Sequence, residues 1–260
     1  MAKTRILITG ANGPLGLRVA EHAASEGASV TGTSRKAAPA GFQGGWKRCD
    51  LLDMKQVAGA LGGEDVVVHC ASNVQNPQDD ADALDNLVAA SRAAGNVHLV
   101  YVSICGIERA ANYSPYYKVK VRNETVLKES GCLHTIVRIS QFHPFVAMIL
   151  SDLVVGPFLL VPKITFQSVD LDFAARQLAL ISLQAPQGRS PDIHGPETLP
   201  LFTMAKSWLS ARGKSKLRIP SLGQLKGFRT LIPVQGITGG LTWEEWLAAH
   251  RGSDNPYGEK

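Results

Sequence analysis

Short runs of consecutive apolar, largely β-branched residues punctuate the first half of the chain, and longer stretches with helical spacing of apolar positions separate them. Arg5–Thr9 reads as a strand, Leu15–Glu26 as a helix stopped by Gly27, and Ala28–Thr33 as a second strand. Trp46–Cys49 is a weak third strand and Asp65–His69 a fourth. Ala81–Ala94, rich in alanine and leucine with no breaker, is predicted as a helix that ends at Gly95 and Asn96. His98–Val102 is the fifth strand, Tyr116–Ser130 the next helix, closed by Gly131, and Thr135–Ile139 the sixth strand. Strands that are apolar throughout are covered on both faces, which calls for βαβ crossovers and a parallel sheet. The predicted class is α/β, a doubly wound parallel sheet.

Beyond Pro144 the alternation breaks down. Helices over Asp170–Leu183, around Phe202–Arg212 and over Thr242–Leu247 are predicted, with no internal repeat and no clean linker. The expected organisation is residues 1–145 as the sheet domain and 146–260 as a small C-terminal substrate or cap region completing the same domain. One stretch, Phe145–Val161, is apolar enough to raise the question of a membrane. Asp152 near its middle, Gly156 with Pro157 inside it, and Pro144 and Pro162 at its ends interrupt it, whereas a spanning helix needs about 20 apolar residues. It is read as a buried wall, with no membrane role.

Composition narrows the classes further. Apolar residues at 45% and charged residues at 19% of 260 describe a chain that buries a core. The net charge of +5 is mild and scattered, and its densest basic stretch, Lys206–Lys226, is broken by Trp, Leu, Ile and Pro, so no nucleic-acid partner is expected. Cys49, Cys70, Cys105 and Cys132 are far apart and lack metal-ligand spacing; each adjoins an apolar run, where a free thiol behaves as a small hydrophobe. With no export signal at the start, free thiols point to the cytoplasm. His69, His98 and His134 adjoin separate strands, and no metal site is expected.

The first strand runs directly into Gly10-Ala-Asn12-Gly13-Pro14-Leu15-Gly16. Glycines there permit a tight turn, close approach of backbone N–H groups to a pyrophosphate, and close packing of the following helix, whose positive dipole end faces the same anion. A glycine-rich turn alone is weak; placed between the first strand and the first helix it indicates a dinucleotide and a Rossmann fold. The second strand ends in Ser34, Arg35 and Lys36, with no carboxylate to accept from a ribose 2′-hydroxyl. Arg35 can grip a 2′-phosphate through two hydrogen bonds and Ser34 can add a third, so NADP is expected, NADPH in preference to NADH. Asp50 and Leu51 follow the third strand, where a carboxylate can accept from the adenine amino group; Asp50 and Asp53 serve equally as helix N-caps.

Tyr116 and Lys120, four residues apart on a predicted helix, lie on one face. An ammonium there stabilises a phenolate and makes Tyr116 a usable general acid and base for a carbonyl or alcohol. Ser103, at the C-terminal end of the fifth strand, is expected to face the ligand crevice and orient the substrate oxygen.

Together, Thr9-Gly10, Gly13, Gly16, Asp50-Leu51, Ser103 and Tyr116-x-x-x-Lys120 resemble the short-chain dehydrogenase/reductase superfamily. Pro115 to Lys120, Glu124, Ser130-Gly131, Thr135–Arg138 and Gln141-Phe142-His143 resemble its atypical NmrA-like branch. The resemblance covers residues 4–145 well and continues more loosely through Val169–Asp172, His194–Pro196 and the Thr242–Trp246 tail. It implies hydride transfer between a nicotinamide and a small, apolar carbonyl or alcohol, with Tyr116 handling the proton and Lys120 also bonding the nicotinamide ribose. Cys70, Ala71 and Ser72 complete the expected cofactor contacts. The branch also contains proteins that bind the dinucleotide without turning it over, and retention of Tyr116 favours an enzyme. An isomerase or epimerase that keeps the dinucleotide through a redox cycle is a third reading. The asparagine that often completes such a site is not placed; Asn73 and Asn86 both fit poorly. The protein is expected to act as a monomer or homodimer. His143 is read as a structural histidine, Asp170 and Asp172 as helix caps, and Trp243 and Trp246 as packing residues.

Overall fold

Ile6, Leu7 and Ile8 are all fully buried, although successive strand residues face opposite ways. Such a strand needs cover on both faces, and it obtains that cover inside a parallel sheet. The computed structural model describes residues 3–221, 231–233, 235–251 and 257. In chain order it runs β1 (Arg5–Thr9), α1 (Pro14–Ser25), β2 (Ser29–Ser34), β3 (Gly45–Arg48), α2 (Met54–Leu61), β4 (Val66–His69), α3 (Pro77–Ala93) and β5 (His98–Ile104). Next come α4 (Ile107–Ala110), a 3-10 turn (Ala111–Tyr113), α5 (Pro115–Glu129), β6 (His134–Ile139), α6 (His143–Asp152), β7 (Val154–Val155), β8 (Phe158–Pro162) and β9 (Thr165–Phe166). The last are α7 (Leu171–Ser182), β10 (Gly188–Arg189), β11 (Asp192–His194), β12 (Leu199–Pro200), α8 (Leu201–Ala211), β13 (Leu217–Ser221), β14 (Gly236–Thr238) and α9 (Trp243–Ala249).

The chain forms two compact units that interleave in sequence. Residues 1–103, 114–138 and 175–191 make one, and 104–113, 139–174 and 192–260 the other. No single cut near residue 145 separates them, because α7 carries the chain back and β10 pairs with β6 through Gly188 opposite Thr135.

The first unit holds the α/β sheet in the order β3-β2-β1-β4-β5-β6. Strand order reverses between β1 and β4, the place where open α/β sheets bind ligands at their carboxyl ends. Thr9 stands opposite Thr33 on one side and His69 on the other, so the three strand ends are level there. Directly after β1, Gly10 adopts a φ of +67°, and a Cβ on it would come within 2.8 Å of the Ala71 backbone. Gly16, the third residue of α1, lets the helix press on the turn: its added Cβ would stand 2.5 Å from the Gly10 carbonyl oxygen.

Helix α3 begins at Pro77, four residues before the predicted Ala81. Proline is favoured at the first helical position, and Asp79 and Asp80 in the first turn complement the helix dipole. The polar Pro-Gln-Asp-Asp run therefore starts a helix where it resembles a loop. Helices α3 and α5 are tied together where the Asn123 amide donates to the Asp80 carbonyl at 3.1 Å. Helix α5 is joined to β5 and β6 through buried Glu124, which accepts from Ser103 Oγ at 2.6 Å and Arg138 Nε at 2.7 Å.

In the second unit, β8 pairs antiparallel with β7 and parallel with β13, β9 pairs with β12, and β11 runs parallel to β14. Trp208, Trp243, Trp246, Phe166 and Leu159 centre its core. Thr242 caps α9 reciprocally with Glu245. The apolar Phe145–Val161 stretch becomes part of α6 and the β7–β8 hairpin, turning at Gly156 and Pro157. It is a buried wall only in part, since Met148, Val155 and Phe158 are exposed. Within Lys206–Lys226, whose end lies outside the described residues, the guanidinium of Arg212 lies 4.6 Å over Trp208 and that of Arg218 5.5 Å over Phe202. Among the described residues, no helix is long and apolar enough to cross a membrane.

Two substitutions test these supports. Glu124→Ala removes the carboxylate that Arg138 and Ser103 bond, and a loss of about 3–5 kcal/mol in urea unfolding is expected, with a small loss counting against the pair as a support. Gly16→Ala forces the turn and helix apart and is expected to cost about 1–3 kcal/mol; a melting temperature equal to wild type would show that the turn gives way freely.

Candidate functional site

A cleft of about 370 Å³ opens at the carboxyl ends of the first unit's strands. One wall is Gly10, Gly13 and Pro14. Gly13 precedes α1 with no side-chain cap, and Pro14 takes the first helical position. The N–H groups of that first turn therefore have no capping side chain and suit an anion. The glycine cradle and the bare helix start fit a pyrophosphate. Asn12, Leu15 and Gly16 stand outside the lining. Asn12 donates to the Ala37 carbonyl at 3.3 Å, Leu15 is a core residue, and Gly16 serves the turn–helix contact.

Ser34 and Arg35 form the next part of the wall. Ser34 Oγ accepts from the Lys36 N–H at 3.0 Å and donates to the Lys36 carbonyl at 3.2 Å, which curls the chain and leaves Arg35 exposed. Arg48, which the sequence did not single out, donates from Nε and Nη2 to the Arg35 carbonyl at 3.4 and 3.3 Å. Two guanidinium-bearing residues thus meet at the end of β2. Asp50 and Leu51 also line the cleft. Asp53 is the N-cap of α2, accepting from the N–H groups of Lys55 and Gln56; Asp50 instead accepts from the Leu52 N–H at 3.1 Å and stays at the cleft. Cys70, Ala71 and Ser72, from the loop after β4, also line it, with the Ala71 backbone packed against Gly10.

The Tyr116 and Lys120 pair comes from the start of α5, where Ser114 caps the helix by accepting from the Tyr116 N–H. Lys120 is buried, with Nζ 5.5 Å from the Tyr116 ring centre and 4.9 Å from that of Tyr101. Nζ donates to the Val102 carbonyl at 3.3 Å and stands 3.8 Å from Asp80 Oδ2. Burial works to lower the Lys120 pKa, but Tyr101, Tyr116 and Asp80 outweigh it and the net shift is upward, so the ammonium is retained. Tyr116 Oη lies 2.9 Å from Ser72 Oγ, and Ser72 donates onward to Asp80 Oδ2 at 2.8 Å.

Ser103 is elsewhere. Its hydroxyl donates to Glu124 in the interior rather than facing the cleft, because Glu124 and Arg138 bring a buried ion pair beneath the end of β5. Asn86 donates to the Leu51 carbonyl, and Asn73 bonds Asp79 and caps its own loop. A helix starting at Ala81 leaves Asp80 in a loop, and the Pro77-to-Asp80 pattern is the signal that brings it into α3.

His69 and Cys70, also in the wall, are uncharged at neutral pH. Burial, reinforced by the Lys120 charge, pushes the His69 pKa down to about 3, and His69 Nδ1 meets Thr9 Oγ1 at 2.8 Å. Burial pushes the Cys70 thiol up to about 12, with Lys120 pulling the other way. In the second unit, His143 is a structural residue, bonded to Ser168 Oγ and the Leu241 carbonyl. Asp170 accepts from the Phe173 N–H, as a cap does. Trp243 and Trp246 stack on each other in the core.

A chloroplastic protein of Arabidopsis thaliana, High Chlorophyll Fluorescence Phenotype 244, is 29% identical over 149 residues, 54% of this chain and 37% of that protein. The chain thus spans little more than a third of that relative's length. The NADPH-dependent quinone oxidoreductase of Escherichia coli, solved with NADPH, has a TM-score of 0.75 at 17% identity, covering 94% of this chain and 99% of that one. The NADP(H)-bound triphenylmethane reductase of Citrobacter has a TM-score of 0.71 at 16% identity, covering 84% and 79%. The UDP-glucose 4-epimerase of Thermotoga maritima, at a TM-score of 0.76 and 18% identity over 94% and 96%, has the same fold. Residues 10–144 match the family described as NAD(P)H-binding, and the chain belongs to that family, as an atypical short-chain dehydrogenase/reductase that binds NAD(P)H.

Proposed function

We propose that the protein is an NADP(H)-dependent oxidoreductase acting on a small, apolar carbonyl compound or alcohol, as a monomer or homodimer. The observation that carries this reading is a tyrosine beside a buried lysine, on the same unit as a glycine cradle. In this reading Gly10, Gly13 and the start of α1 hold the pyrophosphate. Arg35, exposed at the end of β2 with no carboxylate beside it in sequence, takes the 2′-phosphate, and Asp50 and Leu51 take the adenine end. The nicotinamide, when bound, supplies or accepts the hydride at the substrate carbon. Tyr116 gives its hydroxyl proton to the substrate oxygen in reduction and takes it back in oxidation. The Lys120 ammonium stabilises the phenolate left behind, and the neutral His69 and Cys70 add no competing charge. Two proteins of like fold, an NADPH-dependent quinone oxidoreductase and an NADP(H)-bound triphenylmethane reductase, are in keeping with this reading.

Binding and turnover test separate parts of the reading. Arg35→Ala is expected to weaken NADPH by about tenfold or more, the worth of a charge-assisted contact, while NADH changes little. Equal losses in a fluorescence titration would remove the 2′-phosphate assignment. Tyr116→Phe is expected to lower kcat by about 10²–10⁴-fold in a screen of carbonyl substrates, with the NADPH dissociation constant unchanged. Tight NADPH binding by the wild type without turnover of any substrate would favour a dinucleotide-responsive regulator instead.

A further inference from the structure

We propose that Ser72 and Asp80 are positioning residues that set which way the Tyr116 proton points. The inference rests on the reading of Tyr116 as the proton donor and adds a control on it that the Tyr and Lys pair alone does not supply.

The geometry is a short line of hydrogen bonds. Tyr116 Oη and Ser72 Oγ are 2.9 Å apart, and either is a possible donor to the other. Ser72 Oγ is also 2.8 Å from Asp80 Oδ2. An ionised carboxylate only accepts, and a serine hydroxyl carries one proton. With that proton on Asp80, Tyr116 is the donor to Ser72. Asp80 is held in place for this: it is buried, its other oxygen accepts from the Asn73 N–H, and its carbonyl accepts from Asn123. Lys120 Nζ, 3.8 Å away, balances its charge.

The consequence follows when Tyr116 loses its proton. The phenolate then faces the Ser72 oxygen, and the Ser72 hydroxyl must turn its proton away from Asp80 to bond it. No other reactant is needed: the proton leaving Tyr116 goes to the substrate oxygen, and only the Ser72 hydroxyl rotates. Asp80 thus competes with the phenolate for one proton and for the Lys120 charge. In the resting enzyme it keeps the Tyr116 proton directed to Ser72. Ser103, bonded to Glu124, is not available for this task.

The groups around the line are the same in every variant compared. From α5 they are Lys120 and Tyr117, whose hydroxyl burial pushes up to about 12. From β5 comes Tyr101, raised by burial. From β4 and its loop come His69 and Cys70, both neutral. From α3 comes Asp79, bonded to Asn73 and Asn76.

The test is the pH dependence of tyrosinate absorbance in the full chain without nucleotide or substrate, with the Tyr116→Phe curve subtracted to isolate Tyr116. Asp80→Asn is expected to move the onset of that absorbance to lower pH by about one unit, the effect of removing a nearby like charge. Repeating it in a Ser72→Ala background is expected to shrink the movement, since the link is gone. An unmoved onset, or a movement equal with and without Ser72, overturns the proposal, even if the melting temperature falls. Should Asp80→Asn fail to fold, Ser72→Thr and Ser72→Ala put the same question. Thr, which keeps the hydroxyl, is expected to hold the wild-type onset and Ala to move it, and identical onsets overturn the proposal. A coupling seen in an enzyme whose Tyr116→Phe variant still turns over would leave this inference standing and remove the proton-donor role instead.

Discussion

An ammonium buried as deeply as that of Lys120 persists only where opposite charge and hydrogen-bond acceptors replace the water it has lost. Here they are Asp80, the Val102 carbonyl and the rings of Tyr101 and Tyr116. Those groups come from α3, β5 and α5, so keeping this one charge fixes where three elements meet. Asn123 reinforces the meeting point, donating both to the Asp80 carbonyl and to the Tyr101 hydroxyl. The early start of α3 at Pro77 belongs to the same solution, because a helix beginning at Ala81 would leave Asp80 in a loop.

A second buried charge pair works alongside it. Glu124 and Arg138 join α5 to β6, and Ser103 completes the carboxylate's bonds from β5. Removing either partner of such a pair is costly, whereas the intact pair contributes little net stability over apolar packing. Its importance here is therefore positional. It sets the rotation of α5, hence the side on which Tyr116 and Lys120 emerge, and it withdraws Ser103 from the cleft.

The cleft combines close-packed backbone and uncharged side chains with a few charged groups. Glycines at its floor exist for close backbone approach, and His69 and Cys70 are held neutral by burial. Its charged lining residues are Arg35 and Asp50, after β2 and β3, and Asp79 and Asp80 at the start of α3.

Local pattern decided much of this. Period and breaker residues are properties of adjacent positions, so β1, α1, β6 and α5 fall within a residue or two of where their sequence places them. The glycine turn and the Tyr116-to-Lys120 spacing are local in the same sense and were legible. The division of the back half was not, since the interleaving of the two units depends on where the chain returns after α7. Nor were the partners of Ser103, Ser72 and Asp80, or the approach of Arg48 to Arg35. Each is a contact between residues distant in sequence, and a side chain with several possible partners takes the one that burial and charge compensation bring to it. Neighbouring residues suffice to specify the α/β class, the phosphate turn and the helix bearing the tyrosine and lysine. Which hydroxyl stands beside that tyrosine is fixed by the fold, because it depends on where buried charges find their counterparts.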